Sequence, residues 1–428
     1  MRLRVALCAG VAALSVCAGT VPAASAPGGA RAVPTGGTGS PAGLQSAELQ
    51  SALDGVHRAG IPGVYAEVRD GGRTWRGASG VADVETGRPV RPGMRQRVGS
   101  ITKTFTAAAV MQQVERGRIR LDAPIGDYLP HLVPGERGRK VTVRMLLNHT
   151  SGISEYLPYA FPSLGKWPSL PDISPESLDD NRFRRFHSTE LIEMGLAAPP
   201  AGEPGSPTGV YSNTNYLLLG RLLEEVTGTT AEEYITRNVI EPAGLRHTGF
   251  PDGPRIEGPH PRMYEALYGL IDPPRDYSVY DMSWVMTGAG LVSTMADLNR
   301  FYGRLLDGKV VSRASLAQMR RTVPVRALDG TVIEYGLGLH KVGIPGCGTF
   351  WGHDGSAWGA GTVSLTRADG ERQMSFAVNL ARWNTLDSSG QPRHHPIDDA
   401  LAALSRQALC GEESAGTGNA SRTPASAP

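Results

Sequence analysis

Residues 98 to 105 read Val98-Gly99-Ser100-Ile101-Thr102-Lys103-Thr104-Phe105, with a serine and a lysine three positions apart. Apolar residues recur at helical spacing through this stretch and beyond it, which predicts a helix. Gly99 allows the chain to turn tightly into that helix. We therefore expect Ser100 and Lys103 to lie one turn apart on one helix face. Ser100 would stand at the end where backbone N–H groups are unpaired and negative charge is favoured.

This spacing suits covalent acyl chemistry. A serine hydroxyl is a weak nucleophile until a neighbouring group takes its proton. A lysine can take it only where burial or other cations lower its pKa from a reference value of about 10.4. A second Ser-x-x-Lys, Ser163-Leu164-Gly165-Lys166, lies between Pro162 and Pro168 and contains a glycine. It is predicted to be a loop, so Ser100 is the candidate nucleophile.

The composition is that of an ordered globular protein. The 428 residues are 40% hydrophobic and 20% charged, which is enough for a substantial core in one large unit or two closely packed domains. The formal net charge is only +2 and no basic block stands out, so nucleic-acid binding is not expected.

The N-terminus has the pattern of a secretory signal. Arg2 and Arg4 precede a short apolar run over residues 5–17, and Ala24-Ser25-Ala26 supplies a small-residue cleavage site. The apolar run is too short to cross a membrane as a helix. We predict a signal peptide at residues 1–26, secretion to the extracellular or cell-wall space, and no integral membrane segment after cleavage.

Low-complexity segments flank the main unit. Residues 27–43 are predicted to be a flexible linker and residues 412–428 a disordered tail, which leaves one domain at 44–411. Two of the four cysteines fall in the signal, so Cys347 and Cys410 remain. In an exported protein we expect them to form a disulfide. The alternative is a pair of buried free thiols.

Strand patterns occur near both ends of the domain, with helical patterns between them. Apolar runs predict strands at residues 64–69, 73–78, 335–342, 360–366 and 374–379. Periodic apolar residues predict helices at 45–59, 142–147, 189–196, 216–227, 299–306, 313–320 and 398–408. The predicted fold class is α/β (α+β): one antiparallel sheet built from the N- and C-terminal segments and flanked by helices. A mostly helical insertion at about 104–290 would pack beside the sheet, with a site in the cleft between them.

Two further motifs fit that architecture. Tyr211-Ser212-Asn213 lies in a loop that enters a helix, and Trp351-Gly352-His353-Asp354-Gly355-Ser356 precedes a glycine-rich strand. With Ser100-x-x-Lys103, Tyr211-x-Asn213 and His353-x-Gly355 in this order, the chain resembles the serine β-lactamase and penicillin-binding protein superfamily, which has a β-lactamase/transpeptidase-like fold. Within it the chain is most similar to secreted D-alanyl-D-alanine carboxypeptidases and class C β-lactamases. Three other stretches share the resemblance: Leu146-Leu147-Asn148-His149-Thr150-Ser151-Gly152, Gly288-Ala289-Gly290-Leu291 and Tyr335-Gly336-Leu337-Gly338-Leu339.

The resemblance implies a role for each motif residue. Ser100 would attack a carbonyl and form an acyl-enzyme. Lys103 and Tyr211 would share the serine's proton, and Tyr211 would pass it to the leaving group. Asn213 would hydrogen-bond Lys103 and the substrate amide. The backbone N–H groups of Ser100 and Ser356 would form an oxyanion hole, worth roughly 3 kcal/mol per donor.

The resemblance also implies supporting residues around the reaction centre. A protonated His353, together with the lysine, would supply the positive field that a phenol with a reference pKa of about 10 needs to act as a base. Gly355 belongs to the substrate-binding strand. Phe161 and Trp284 resemble the aromatic walls of an acyl pocket, although either could be core, and His149 resembles scaffold. No cofactor or metal is implied.

Two positions depart from the carboxypeptidase pattern. His340 stands where an arginine of such enzymes binds the peptide's terminal carboxylate, and Lys341 next to it is expected on the other face of the strand. Asp354 stands where the third motif usually has Thr or Ser and sometimes Gly. A carboxylate beside a substrate carboxylate costs on the order of 1 kcal/mol in water and more in a dry cleft. Three alternatives follow for Asp354. Its side chain points away from the substrate, or it pairs with His340, or it favours a substrate that carries an amine or is a neutral ester.

The leading prediction is a secreted serine hydrolase of the D-Ala-D-Ala carboxypeptidase type, which acts on D-amino-acid peptides and is acylated by β-lactams. An esterase or a D-aminopeptidase with the same catalytic residues is the first alternative, and a non-catalytic ligand-binding homologue is the second. The expected partner is a small peptide, a peptidoglycan-like substrate or an ester, and the expected state is a monomer.

Overall fold

The computed structural model describes residues 44–165 and 173–411 of the chain. The predicted signal peptide, the linker, the C-terminal tail and Lys166 of the second Ser-x-x-Lys lie outside these residues. What the sequence predicts for them stays a prediction.

The α-helices lie mainly in the middle of the described chain, with one near each end. In chain order they are α1 (Ser46–Arg58), α2 (Thr102–Glu115), α3 (Gly135–Lys140), α4 (Val143–Leu147), α5 (Leu157–Ala160), α6 (Glu176–Asp180), α7 (Ser188–Ala197), α8 (Asn213–Thr227), α9 (Ala231–Ile235), α10 (Met286–Ala289), α11 (Met295–Leu306), α12 (Arg313–Met319) and α13 (Pro396–Cys410).

The longer strands lie near the two ends of the domain. In chain order the strands are β1 (Gly63–Asp70), β2 (Arg73–Asp83), β3 (Arg88–Pro89), β4 (Gln96–Arg97), β5 (Gly209–Val210), β6 (Tyr264–Glu265), β7 (Arg275–Asp276), β8 (Val292–Ser293), β9 (Val323–Arg326), β10 (Val332–Tyr335), β11 (His340–Ile344), β12 (Gly348–Ala357), β13 (Ala360–Arg367), β14 (Arg372–Val378) and β15 (Leu380–Ala381).

One large sheet joins the two ends of the domain. Its ten strands follow the order β3-β2-β1-β14-β13-β12-β11-β10-β9-β5. Its third and fourth strands, β1 and β14, pair antiparallel from Val64↔Val378 to Asp70↔Arg372. The β5–β9 pair at one edge is parallel. The predicted fold class, a mostly antiparallel sheet built from N- and C-terminal segments and flanked by helices, is confirmed.

Helices cover both faces of this sheet. On one face α1 and α13 pack side by side, and Leu53 and Leu401 are buried there with Val64. Full burial of each such side chain contributes about 1.5–3 kcal/mol. On the other face α11 packs against β13 and β14, and Phe301 of α11 stacks on Phe105 of α2 with ring centroids 3.7 Å apart. The nucleophile helix α2 is thus a central element of the core.

The predicted strand at 335–342 is wrong, because the chain forms two strands there. β10 ends at Tyr335 and β11 begins at His340. Between them Gly338 has a φ of 71°, and a Cβ at that position would lie 2.4 Å from the Cβ of Ala107 in α2. The strand breaks where the nucleophile helix crosses it.

Three smaller predictions also need correction. His353 and its neighbours lie inside β12 rather than before a strand. Helices of all kinds make up less than half of the described residues at about 104–290, which also contain the short strands β5, β6 and β7. Ser163 lies in a 3₁₀ helix, Pro162–Leu164, rather than in an irregular loop.

The loop between β11 and β12 reaches the end of α13. Cys347 and Cys410 lie there with their Cα atoms 5.1 Å apart, a separation within the range of disulfide-bonded pairs. The two predicted partners are therefore neighbours, at the face of the sheet that α1 and α13 cover.

Candidate active site

Ser100 lies in a 3₁₀ turn, Gly99–Ile101, that leads directly into α2. Gly99 has a φ of 54°, a left-handed value that glycine adopts at little cost. Thr102 fixes the turn, because its Oγ1 donates to Gly99 O at 2.7 Å and accepts from Leu291 N at 3.1 Å. The backbone of the candidate nucleophile is therefore held both within its own turn and from a distant segment.

Lys103 lies one turn further along α2 and is fully buried. Its Nζ is 3.0 Å from Ser100 Oγ, 2.7 Å from Asn213 Oδ1 and 2.9 Å from Gly288 O. Burial lowers the pKa of Lys103 from 10.5 to about 7, and nearby carboxylates oppose this only in part. Near neutral pH much of the lysine is therefore an uncharged amine, whose lone pair can accept the Ser100 proton.

Tyr211 reaches the same point from the end of β5. It lines the same cleft as Ser100, and its ring centroid is 4.9 Å from Lys103 Nζ. Burial raises the pKa of Tyr211 well above its usual 10.0, although the nearby side chain of Ser100 acts in the opposite direction. The phenol keeps its proton at neutral pH, so it can relay a proton but is not the resting base.

His149 holds the Tyr211 segment from behind. Its ring stacks on that of Tyr211 with centroids 4.1 Å apart, and its Nδ1 accepts from Ser212 N at 3.2 Å. Its carbonyl accepts from Val210 N at 3.0 Å. Burial lowers the pKa of His149 well below 6.5, so the ring is neutral. Three consecutive residues of the tyrosine segment are thus in contact with His149: Tyr211 and Ser212 through its ring, and Val210 through its backbone carbonyl.

Glu155 is a site residue that the sequence analysis did not identify. Its carboxylate accepts from the backbone N–H of Asn213 at 2.6 Å and of Leu157 at 3.0 Å. Burial raises the pKa of Glu155, although these hydrogen bonds and the charge of Lys103 act in the opposite direction. The contact fixes the first residue of α8, whose Oδ1 faces the lysine. A glutamate in a polar loop carries no motif that would have marked it.

The prediction of a protonated His353 is wrong. This histidine is buried within β12, and its Nε2 is 2.9 Å from the hydroxyl of Tyr335. Burial lowers the pKa of His353 to about 4, and the attraction of Asp354 does not compensate. The imidazole is therefore neutral at neutral pH and supplies no positive charge to the reaction centre.

Asp354 lines the cleft and also pairs with His340. Its Oδ1 is 3.7 Å from His340 Nδ1 and 3.8 Å from His353 Nδ1. Burial raises the pKa of Asp354, but the polar contact with His340 and the attraction of the two imidazoles outweigh burial and hold it below 3.8. The carboxylate is ionised at neutral pH. Among the alternatives left open by the sequence, the structure contains the pair with His340 while the carboxylate remains at the cleft surface.

Strand β12 passes the nucleophile turn at very short range. A Cβ on Gly355 would lie 2.0 Å from Val98 O and 2.7 Å from Ser100 N, and a Cβ on Gly99 would lie 2.4 Å from Ser356 N. Glycine at both positions permits this approach. The backbone nitrogens of Ser100 and Ser356 therefore belong to two directly adjoining segments.

The cleft beside Ser100 is a cavity of about 100 Å³ with mostly apolar walls. Trp284 and Trp358 line it and stack with ring centroids 5.2 Å apart. Phe161 does not line it but packs behind, 5.4 Å from the ring of Trp284 and 5.6 Å from that of Trp358. Of the two predicted aromatic walls, Trp284 is at the surface of the cleft and Phe161 supports it. Trp358, two residues beyond the third motif, was missed.

Two ionised side chains, Asp354 and Arg382, line this cleft in the described residues. Arg382 forms an ion pair with the buried Glu265, so it is already compensated. Neither member of that pair was identified from the sequence, because an arginine and a glutamate 117 positions apart form no motif.

Within the described ranges no group of three His, Cys, Asp or Glu side chains is placed to hold a metal ion. None of the described helices combines the length and apolarity needed to span a bilayer.

A serine, a lysine and a tyrosine that meet between a sheet and a helical region define a serine-nucleophile acyl hydrolase. The chain matches the family described as Beta-lactamase over residues 49–399. It belongs to this family, and it is a serine hydrolase of the β-lactamase and penicillin-binding protein type.

Several relatives carry names of different activities. Penicillin-binding protein 4* of Bacillus subtilis (strain 168) is 26% identical over 317 residues, which cover 70% of this chain and 64% of that protein. Esterase EstB of Burkholderia gladioli is 33% identical over 216 residues, which cover 48% of this chain and 53% of that protein. The chain thus matches less than two thirds of the length of these curated relatives.

Solved structures share the fold over nearly the whole domain. A D-stereospecific amidohydrolase from Streptomyces sp. superposes with a TM-score of 0.72 at 31% identity, covering 86% of this chain and 99% of that one. A D-amino acid amidase from Ochrobactrum anthropi SV3 superposes with a TM-score of 0.66 at 22% identity, covering 84% and 97%.

Proposed function

We propose that this protein is a serine amidohydrolase that cleaves amides and short peptides of D-amino acids through an acyl-enzyme on Ser100. The observation that carries the proposal is the Lys103 amine, with a pKa of about 7, at 3.0 Å from Ser100 Oγ. A neutral amine at this distance activates a serine hydroxyl. The D-amino-acid preference is supported by the similarity to the D-stereospecific amidohydrolase, which extends over 99% of that chain.

Acylation would begin when Lys103 takes the Ser100 proton as Oγ attacks the substrate's carbonyl carbon. The carbonyl oxygen becomes an oxyanion, which the N–H groups of Ser100 and Ser356 would stabilise by roughly 3 kcal/mol per donor. As the C–N bond breaks, the leaving nitrogen takes a proton from Tyr211, and Lys103 returns its own proton to the phenol. Asn213 would keep the lysine in place and would also form a hydrogen bond with the substrate amide.

Deacylation would use the same groups in reverse. As a water molecule attacks the acyl ester, its proton passes to the Tyr211 hydroxyl, which passes its own proton to Lys103. Lys103 then gives its proton to Ser100 Oγ as the ester C–O bond breaks. A β-lactam is a cyclic amide, so we propose that it acylates Ser100 through the first half of this cycle.

The charge at the cleft favours a substrate with an ammonium group. Asp354 is ionised there, and the cation of Arg382 is compensated by Glu265. Opposite charges about 4 Å apart attract by about 1 kcal/mol in water and more in a desolvated site, and a substrate carboxylate is repelled to the same extent. This favours D-aminoacyl amides and free N-terminal D-residues over peptides that end in a D-alanine carboxylate.

A D-Ala-D-Ala carboxypeptidase is the second candidate. It is supported by relatives named penicillin-binding proteins, among them penicillin-binding protein 4 of Amycolatopsis lactamdurans, 29% identical over 352 residues that cover 84% of that protein. An esterase is supported by the match to EstB. Both would use the same nucleophile, so the substrate decides between them.

A substrate series tests the proposal. The wild type and Asp354→Asn are assayed with D- and L-phenylalanine amide, a peptide ending in D-Ala-D-Ala, the same peptide with a C-terminal amide, and an aryl ester. We expect the highest kcat/KM for D-phenylalanine amide. Asp354→Asn should lower that value about tenfold, the equivalent of about 1.4 kcal/mol, and raise the value for the free carboxylate.

Two results would contradict this assignment. A wild-type preference for the free C-terminal carboxylate would make the protein a carboxypeptidase. A fluorophosphonate or penicillin that leaves no adduct on Ser100 in the mass spectrum would refute the hydrolase itself and favour a ligand-binding protein. Ser100→Ala serves as the unlabelled control.

We also propose that the protein is exported through its first 26 residues and that Cys347 and Cys410 are bonded in the mature form. The proximity of the two cysteines supports the bond. Intact-mass analysis of protein from the culture medium should give an N-terminus at Pro27 and two cysteines that resist alkylation. Monomeric state stays a prediction that light scattering measures directly.

A further inference from the structure

A buried ion pair lies against the turn that joins β12 to β13. Arg382 and Glu265 are 7% and 0% exposed, and two hydrogen bonds connect them, one from Arg382 Nε to Glu265 Oε1 at 2.9 Å and one from Nη2 to Oε2. Burying two charges is rarely favourable compared with packing apolar side chains in the same space. Since stability alone gives little reason to bury these two charges, the location of the Arg382–Glu265 pair beside the cleft points to a role in the site.

The 356–359 turn comprises the last two residues of β12 together with Trp358 and Gly359, and the pair contacts each of them. Arg382 donates from Nη1 to Ser356 Oγ at 3.4 Å and from Nη2 to Ala357 O at 3.3 Å; its Cζ lies 4.9 Å from the Trp358 ring centroid; and Glu265 Oε2 accepts from Gly359 N at 2.9 Å. The first of these residues is the candidate oxyanion donor, and the third is a wall of the cleft. One ion pair thus contacts both the candidate oxyanion donor, Ser356, and a wall of the cleft, Trp358.

A second part of the cleft lining is bound to the same pair. Glu265 Oε1 also accepts from Leu267 N at 2.8 Å, and Arg382 O accepts from Tyr268 N at 2.8 Å. Leu267 lines the cleft. In the described residues, four non-glycine residues have a positive φ, and three of them meet here: Leu267 at 42°, Tyr268 at 62° and Arg382 at 51°. Such backbone conformations persist only where the surrounding contacts hold them.

We propose that the Arg382–Glu265 pair is a positioning device that sets the 356–359 turn. It would direct the Ser356 N–H toward the oxyanion and hold Trp358 against the acyl pocket, so that it controls both the acylation rate and the size of acyl group that fits. The proposal rests on the acyl-enzyme proposed above. Both residues act through Ser356 and Trp358 rather than on the reacting atoms.

Kinetics on a graded series of acyl esters tests this role. Arg382→Lys, Arg382→Met, Glu265→Gln and the double variant Arg382→Met/Glu265→Gln are assayed with p-nitrophenyl esters from acetyl to phenylacetyl. We expect kcat to fall about tenfold to a hundredfold, the cost of a displaced catalytic group, with a smaller change in KM. The ratio of kcat/KM for the phenylacetyl ester to that for the acetyl ester should shift toward one, which means that the variants discriminate less between acyl groups. The double variant should be no worse than Arg382→Met, because the pair acts as one unit.

Arg372→Lys is the matched control. Arg372 on β14 is also buried and paired, 2.9 Å from Asp70, but it contacts the end of α13 and not the cleft. This variant should change the melting temperature without changing kcat or the acyl ratio. If Arg382→Lys and Glu265→Gln behave in the same way, with lower melting temperatures but an unchanged acyl ratio, the pair is merely structural and the proposal fails.

Hydrogen exchange in the wild type provides a test that does not depend on folded variants. The Gly359 and Leu267 amides, both bound to Glu265, should be among the slowly exchanging amides of the protein. Complete exchange of both at the earliest time point would overturn the positioning role. A wild type that no fluorophosphonate labels would refute the acyl-enzyme instead, so the two failures are distinguishable.

Discussion

Lys103 is the residue on which the chemistry depends, because its burial makes it a base. A solvated lysine is protonated at neutral pH and has no lone pair to offer. Inside α2 the amine is surrounded by Ser100 Oγ, Asn213 Oδ1 and Gly288 O, and desolvation brings its pKa to about 7. The two fixed carbonyl acceptors leave the lone pair of the neutral amine directed at the serine.

The acylation rate should therefore rise with pH along a single limb with an apparent pKa of about 7, the value of Lys103. Below that pH the amine is protonated and cannot accept the serine proton, and above it the amine is free. Stopped-flow acylation of Ser100 by an aryl ester between pH 5 and 9 measures the limb. A rate that is flat across this range, as expected if His353 with its pKa of about 4 were the base, would contradict the assignment.

Tyr211→Phe should lower the acylation rate by about a hundredfold to ten-thousandfold, the usual contribution of a positioned proton donor. The ring would still pack on His149, so the melting temperature should change little. Tyr65→Phe is the control, because Tyr65 is also buried and its hydroxyl donates to Gln96 of β4, and neither residue lines the cleft. Equal rates for the two variants would exclude the phenol from proton transfer.

At the level of elements, the contact between β12 and the nucleophile turn defines the oxyanion site. Gly355→Ala would place a methyl group 2.0 Å from Val98 O, so the strand must move away from Ser100. We expect a loss of about a hundredfold or more in kcat, the cost of one oxyanion donor, together with a lower melting temperature. Steady-state kinetics and thermal unfolding measure both.

Gly343→Ala on the neighbouring strand β11 is the matched control, since no atom lies within 4 Å of the added methyl group. It should keep full activity and equal or slightly higher stability. Full activity in Gly355→Ala would mean that the strand tolerates displacement and that Ser356 N–H is not an essential donor.

Elements and motifs were predictable where the chain repeats a short local pattern. The α1 helix, the β1 and β2 strands and the helical position of Lys103 follow from periodicity over a dozen residues. The break at Gly338 does not, because it is imposed by α2, more than two hundred residues earlier. The same holds for Glu155, Trp358 and Arg382, whose roles arise from contacts with distant segments. The neutral state of His353 depends on burial, which no motif encodes.

At the level of the whole molecule, the first and last segments of the domain pack together and share one sheet. β1 pairs with β14 inside the large sheet, and α1 packs on α13. The reaction centre draws on α2, β5 and α8, and β12, so it exists only when the C-terminal strands have joined the N-terminal half. Formation of the sheet therefore brings three motifs that are distant in sequence to one cleft.

The Cys347–Cys410 pair should stabilise this closed arrangement. The two residues are 63 positions apart, and in the chain-entropy account a bond closing such a loop contributes about 4 kcal/mol by restricting the unfolded chain. Cys347→Ser/Cys410→Ser should lower the free energy of unfolding in urea by about 2–4 kcal/mol. Its kcat should match that of the wild type, because neither cysteine lines the cleft. If the oxidised wild type and the double variant unfold at the same urea concentration, the cysteines contribute no bond to the native protein, and the sheet packing of α1 and α13 alone holds the two ends together.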